Sequence, residues 1–369
     1  MDIKISAALG NLSSGSFYER FTEYLLVWYS ENHRSFPWRN CDDPYLTWIS
    51  EIMLQQTRTG AVIPYFNRFA EELPDVRHLA ECPSERLMKL WEGLGYYSRA
   101  RNLQKAAVKI MEDYEGKLPD SYDELLALPG IGPYTAGAIA SIAFGRAVPA
   151  IDGNALRIAA RVLGSHEPLN EKSLKKAAYT FFQEMIPEDR PGDFNQAVMD
   201  LGAMVCLPGK EQPDCASCPV KIFCSAFQMH ETEILPVKAL KKERRQVPLT
   251  VLIIQDGAFT AIRRRPEKGL LAGMYEFPNI EGYKDPEDAL RYVRNEGLEP
   301  LQIERLPDSS HIFTHLEWKM IAYRIRVAAL EEHTGLTGLC FISREDSQND
   351  YAIPSAFRAY IRYLKEECT

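Results

Sequence analysis

One stretch constrains this chain more than any other: LPGIGPYTAGAIA, Leu128 to Ala140. Gly130 and Gly132 flank Ile131, and Pro133 then opens a helical run of small residues. Glycine permits the tight turn, and proline suits a first helical position, where its missing N–H has no helical partner. Such a turn exposes successive backbone N–H groups at a helix N-terminus, where an anion can dock. VPAIDGN, Val148 to Asn154, follows and places Asp152 about twenty residues beyond the turn, ahead of a new helical stretch. An ordinary glycine-rich turn between two helices would use the same letters, so the rest of the chain must decide.

The bulk numbers narrow the field. A length of 369 residues suggests two or three domains, each large enough to bury a core. With 46% hydrophobic and 25% charged residues, the composition is that of a soluble globular protein. No apolar run reaches transmembrane length, and the first residues, MDIKISAALG, lack a basic segment followed by an apolar one. A cytoplasmic protein with no membrane partner is therefore expected. The net charge of −8 counts against a general polyanion binder, although a local basic face can still serve nucleic acid.

From about Ser16 to Phe227 the pattern is helical. FYERFTEYLLVWYSEN and SEIMLQQTRTGAVIPYFNRFAEE are examples of its periodic apolar segments. ETEILPVKALKKERRQVP then reads as an exposed, basic linker. Beyond it the period changes. LTVLII, QDG and AFTAIRRR read as strand, turn and strand, and HLEWKMIAYRIRV as a further strand. DPEDALRYVRN and PSAFRAYIRYLKEE read as helices. The fold class expected is multidomain: an all-α N-terminal part joined to a smaller α+β domain.

Eight cysteines without a signal peptide do not read as a disulfide framework. Cys206, Cys215, Cys218 and Cys224 cluster as C-x8-C-x2-C-x5-C. Thiolates at such spacing can wrap one soft metal centre. Zinc ribbons usually carry two CxxC knuckles, and only one is present; compact, unequal gaps suit a 4Fe–4S cluster better, and unligated core cysteines are the third reading. Cys41, Cys82, Cys340 and Cys368 have no such company and read as plain core or surface residues. Glu51 sits among Ile52, Met53 and Leu54, an apolar setting that suits a raised pKa and general-acid work. A glutamate on a solvated helix face is the plainer alternative.

Several of these strings together resemble one family. The turn with its downstream aspartate resembles the helix-hairpin-helix DNA glycosylases, and the cysteine loop resembles that of their endonuclease III and MutY branches. Those relatives usually have six residues in the first cysteine gap, where this chain has eight. SEIMLQQT, PWR (Pro37 to Arg39) and GLGYYSRARNL (Gly93 to Leu103) resemble the MutY-type adenine DNA glycosylases. RRRPEKGLLAGMYEFP, Arg263 to Pro278, is similar to their Nudix-like domain. The resemblance covers nearly the whole chain.

It implies a helical catalytic region over 1–230, with a helix-hairpin-helix barrel near 38–147 and an iron–sulfur domain near 15–37 and 148–230. A linker over 231–246 and a Nudix-like domain over 247–369 would follow. The implied activity is monofunctional removal, in base excision repair, of adenine mispaired with 8-oxoguanine or guanine. Glu51 would be the general acid that protonates adenine N7 and later activates water, and Asp152 the carboxylate that stabilises, or transiently bonds to, the sugar carbon. Tyr134, where bifunctional relatives carry a lysine, would hydrogen-bond Asp152, and Asn154 would orient it. Trp38 and Arg39 would line the adenine pocket, Leu54 and Gln56 would sit near the opened base pair, and Tyr96 would wedge beside the opposite guanine. Gly130 and Gly132 would offer N–H groups to the DNA. Phe313, Thr314 and His315 would form the 8-oxoguanine-recognition loop, with threonine where the family carries serine. RYVRNEG, Arg291 to Gly297, puts Tyr292 and Asn295 where a magnesium-dependent Nudix hydrolase needs carboxylates. One 4Fe–4S cluster, a duplex DNA partner, a monomeric state and downstream repair proteins complete the expectation. The rivals are an endonuclease III-like glycosylase/lyase for oxidised pyrimidines and a non-catalytic iron–sulfur protein that scans DNA.

Overall fold

A computed structural model describes residues 14–39, 41, 43–209, 213–238, 243–257, 259–328, 338–343 and 351–364. Cys368 lies outside the described residues. Before Arg245 every described element is helical. In chain order these are α1 (Ser14–Asn32), α2 (Pro44–Leu54), α3 (Thr59–Glu72), α4 (Val76–Glu81), α5 (Ser84–Leu90), α6 (Ser98–Asp113), α7 (Tyr122–Leu126), α8 (Pro133–Ile142), α9 (Gly153–Val162), α10 (Lys172–Gln183), α11 (Pro191–Met204) and α12 (Ser225–Gln228). The strands β1 (Arg245–Gln255), β2 (Phe259–Arg264), β3 (Tyr275–Glu276) and β4 (Asn279–Glu281) follow, then α13 (Pro286–Asn295), β5 (Pro300–Ile312), β6 (Leu316–Val327) and β7 (Leu339–Ser343). No helix among the described residues is long and apolar enough to cross a membrane.

The chain divides into two compact units, and the division does not follow the order of the sequence. One comprises Met1–Glu81 and Asn102–Leu240, the other Cys82–Arg101 and Lys241–Thr369. In the first unit the helices form where apolar residues recur at helical spacing. Phe17, Phe21 and Leu25 stand four apart on α1 and are buried against Phe181, Phe182, Phe194 and Phe223. Helix starts are marked by caps. Asp43 accepts from Tyr45 N at 2.8 Å, with Pro44 at the first position of α2. Helix α8 also opens on proline, but its N-cap Gly132 offers no side-chain acceptor, so its first N–H groups lack a side-chain partner. The apolar segment over Ser50–Glu72 is not one helix: α2 ends at Leu54, α3 begins at Thr59, and Gln56 between them is left-handed at φ 57°.

The second unit is built on a seven-stranded mixed sheet of order β3-β2-β1-β6-β5, with β4 on β1 and β7 on β2. β1 and β6 run parallel and the other pairs are antiparallel. Alternation along β1 supplies both faces. Leu249, Val251 and Ile253 pack with Trp318, Phe357 and Tyr360, whereas Leu252 and Ile254 pack with Ala289 and Val293 of α13. The predicted strands at 249–254, 258–265 and 315–327 and the helix at 285–295 correspond to β1, β2, β6 and α13, but β1 begins at Arg245, inside the stretch read as linker. Of the C-terminal helix expected from PSAFRAYIRYLKEE, 355–364 is helical as three consecutive short pieces, Ser355–Phe357, Arg358–Ile361 and Arg362–Leu364, and 365–367 lies outside the described residues. Segment 82–101 is tied into this unit by Arg101 Nη1 to Ala272 O (2.7 Å) and Ile353 N to Glu92 Oε1 (2.9 Å).

Candidate active site

In the first unit α2, α8 and α9 bring Glu51, Tyr134 and Asp152 together. Glu51, on the buried face of α2, is 5% exposed. The Tyr134 hydroxyl donates to Glu51 Oε2 at 2.6 Å. Burial pushes Glu51 up to about 7; the nearby Asp152 charge adds to the rise, while the Tyr134 bond and Arg39 oppose it. Tyr134 itself is held well above its ordinary value by burial and by the Glu51 charge, so it remains a phenol and a permanent donor.

Here the structure corrects the expectation that Tyr134 bonds to Asp152. Asp152 is the N-cap of α9, and its carboxylate is already engaged: Oδ1 accepts Ala155 N at 2.7 Å and Oδ2 accepts Asn154 Nδ2 at 2.8 Å. The tyrosine hydroxyl, at the second residue of α8, meets Glu51 instead. Burial raises the Asp152 pKa, and the two N–H bonds and Arg157 work against that rise. Behind Asp152 the bracing continues. Arg157 donates to Asn154 Oδ1 (2.8 Å), Cys206 O (2.8 Å) and Gly202 O (2.7 Å). Gly202 must be glycine for this packing, because a Cβ there would stand 2.5 Å from Asn154 Cβ.

Two cavities meet at these residues and share Leu54 and Tyr134. The larger, about 870 Å³, is lined by Gln56, the Gly130–Tyr134 turn and Asp152 among others. The smaller, about 60 Å³, is lined by Trp38, Arg39, Glu51 and Gln196 among others. Gly130, left-handed at φ 80°, makes the turn that starts α8. Trp38 is mostly buried, stacked on Phe36 at 5.1 Å. Arg39 is anchored by Asp200, with Nη1–Oδ2 at 2.7 Å and Nη2–Oδ1 at 2.9 Å. Burial alone would raise the Asp200 carboxyl, but Arg39 and Arg34 hold it below the usual range.

Sequence reasoning passed over Gln196, Asn195 and Asp200. Asn195 fixes the strap leading to Asp152 by accepting from Ala150 N (3.0 Å) and donating to Val148 O (2.9 Å). A signal was available: polar residues inside the apolar helix segment FNQAVMDLG have to find buried partners.

Comparison with known proteins places this arrangement. The profile described as "HhH-GPD superfamily base excision DNA repair protein" matches residues 49–183, and that of the NUDIX domain matches 249–363. The chain is 31% identical to the adenine DNA glycosylase of Mus musculus, over 92% of this chain and 78% of that protein. It is 34% identical to the adenine DNA glycosylase of Buchnera aphidicola from Acyrthosiphon pisum, over 85% of this chain and 88% of that protein. The chain belongs to the adenine DNA glycosylase family. Among solved structures, a thermostable thymine-DNA glycosylase superposes with a TM-score of 0.53 at 29% identity, over 58% of this chain and 98% of that one.

Two further regions matter in this adenine DNA glycosylase family member. In its first unit Cys206, Cys215, Cys218 and Cys224 are free and partly buried. Arg161 Nη1 stands 3.0 Å from Cys206 Sγ. Burial pushes the Cys218 thiol to about 12 and Cys224 to about 11, and the neighbouring thiols add to both shifts. Among the described residues no three side chains converge tightly enough to hold a single ion. In the second unit the turn between β5 and β6 closes through Phe313 N to Leu316 O (2.8 Å) and presents Thr314 and His315 to solvent, while Phe313 packs edge-on to Trp318 at 4.9 Å. Tyr96, 48% exposed and left-handed at φ 46°, shares a 3.2 Å hydrogen bond with Thr314 Oγ1. These two side chains line one cavity of about 470 Å³. A left-handed backbone at non-glycine residues such as Gln56 and Tyr96 stores strain that clusters at functional sites.

Proposed function

We propose that this chain hydrolyses the N-glycosidic bond of adenine opposite 8-oxoguanine or guanine in duplex DNA, without cutting the strand. The observation that carries the reading is Glu51: a buried carboxyl raised to about 7, held by a phenol, with the helix-capping carboxylate of Asp152 near it. Two carboxylates in different protonation states suit this cleavage, one to protonate the departing base and one to face the sugar cation.

The adenine leaves the base stack before it reacts. It enters the recess lined by Trp38, Arg39 and Gln196, and the sugar stays in the larger cavity. Protonated Glu51 gives its proton to adenine N7. The bond from the sugar carbon to N9 breaks with its electron pair going to the base. The cation left on the sugar faces the Asp152 carboxylate, which Asn154 and the Ala155 N–H hold in place. Glu51, now ionised, takes a proton from the water that adds to the sugar carbon. Tyr134 steadies Glu51 and has no amine with which to form a Schiff base, so lyase chemistry lacks its nucleophile. Gly130 and Gly132 offer backbone donors to a phosphate, Leu54 and Gln56 occupy the opened pair, and Phe313, Thr314 and His315 with Tyr96 read the opposing guanine.

Cys206, Cys215, Cys218 and Cys224 would hold a 4Fe–4S cluster. Four free thiols in one neighbourhood, with the Arg161 cation at hand, suit an anionic metal–sulfur group. When bound, it supplies a rigid staple for the loop rather than bond chemistry.

Duplexes carrying adenine opposite 8-oxoguanine, adenine opposite guanine, and thymine glycol test the reading. Adenine should be released from the first two, with strand breaks only after alkali. Breaks without alkali, borohydride trapping of the wild type, or preference for thymine glycol would overturn it.

A further inference from the structure

The larger cavity has a wall that the proposed chemistry leaves unused. Lys175 and Tyr179 of α10 and Tyr122 at the start of α7 line it, together with Gly132, Pro133 and Asp152. Lys175 and Tyr179 are one helical turn apart and exposed, and α10 buries Leu174, Ala178, Phe181 and Phe182 on its other side. Among the described residues no carboxylate pairs with Lys175, and neither tyrosine hydroxyl has a hydrogen-bond partner. Burial and the neighbouring Tyr179 and Asp123 push the Tyr122 phenol up, so it remains a donor.

The charge balance of the cavity calls for a cation here. Asp152 lines the same cavity, and its carboxylate repels the phosphates on either side of a nucleotide whose sugar approaches it. The uncapped start of α8 offers donors to one phosphate. In a chain of net charge −8, an unpaired lysine in this cavity is a local exception that favours an anion.

We infer that Lys175, Tyr179 and Tyr122 form a second phosphodiester clamp on the strand that carries the extruded nucleotide, separate from the turn at Gly130–Pro133. Lys175 neutralises one phosphate and the two hydroxyls donate to its oxygens. The inference rests on the reading of this cavity as the DNA-facing site.

The test uses the full chain and a duplex with a tetrahydrofuran abasic analogue opposite guanine, with binding measured by fluorescence anisotropy across a salt series. Each neutralised phosphate contributes about 0.9 to the slope of log affinity against log salt. Lys175→Met should reduce that slope by about this amount, so that over a fourfold rise in salt it loses about 3.5-fold less affinity than the wild type. Lys176→Met, next along the helix but outside the cavity, should leave the slope unchanged. Tyr179→Phe should weaken binding about 2- to 10-fold at fixed salt, the scale of one hydrogen bond, without changing the slope. An unchanged slope for Lys175→Met, or an equal fall for Lys176→Met, overturns the clamp while leaving the catalytic reading intact. A wild type whose binding does not depend on salt overturns both.

Discussion

Replacing Tyr134 by Phe should move the alkaline limb of the pH–rate profile upward. The Tyr134 hydroxyl donates to Glu51 Oε2 at 2.6 Å, and both groups are buried. A hydrogen bond to a charged group contributes about 1.5–3 kcal/mol. One pKa unit corresponds to about 1.4 kcal/mol, so losing the bond is a shift of about one to two units. The sign follows from which form the bond favours. A donor stabilises the carboxylate and lowers its pKa, so its removal raises the Glu51 pKa above the starting value of about 7. The proposed cleavage needs Glu51 protonated, so the rate should fall as pH rises through that pKa. The wild-type limb should centre near 7 and the variant limb about one to two units higher. The plateau below the limb should drop, because a weaker, less oriented acid gives up its proton less readily. The assay is single-turnover adenine release from a duplex with adenine opposite 8-oxoguanine, from acid to alkaline pH, with thermal melting to verify the fold. A limb that stays put or moves down would refute the assignment of Tyr134 as the donor that tunes Glu51.

Three other outcomes follow from the geometry. Arg157→Met removes the guanidinium that ties Asn154 to Gly202 O and Cys206 O, so excision should fall about 10- to 100-fold in single turnover as Asp152 loses its support. Thr314→Val keeps the shape and deletes the hydroxyl shared with Tyr96; the ratio of excision rates opposite 8-oxoguanine and guanine should fall by an amount worth about 1–3 kcal/mol, read from paired time courses. Elemental analysis of anaerobically purified protein should find about four irons per chain, and replacing Cys206, Cys215, Cys218 or Cys224 should lower both iron content and melting temperature.

What could be read from the sequence was what short-range patterns encode. The period of α1, the proline-opened α8 after its glycine turn, the apolar run within β1 and the alternation of β6 are local, and the structure has them where the letters place them. β5 was missed because its strand residues are mostly exposed and a bulge at Pro307–Asp308 interrupts the alternation. The grouping of 82–101 with 241–369 rests on contacts between residues far apart in sequence, such as Ile353 N to Glu92 Oε1, which leave no periodic trace. At the site, residue types were legible and pairings were not. Glu51, Tyr134 and Asp152 stood out as letters, yet whether the phenol meets the glutamate or the aspartate depends on how α2, α8 and α9 cross. The same holds for Asp200, which is one more acid along the sequence but is fully buried between Arg34 and Arg39.

Glu51→Gln tests the central claim most directly. The amide keeps the size of the side chain and has no proton to give at neutral pH. Single-turnover adenine release from a duplex with adenine opposite 8-oxoguanine should fall at least ~10²–10⁴-fold, since one group serves both the departure of the base and the arrival of water. Affinity for the same duplex should stay close to that of the wild type. Near-normal release by Glu51→Gln, with the fold intact, would contradict the account.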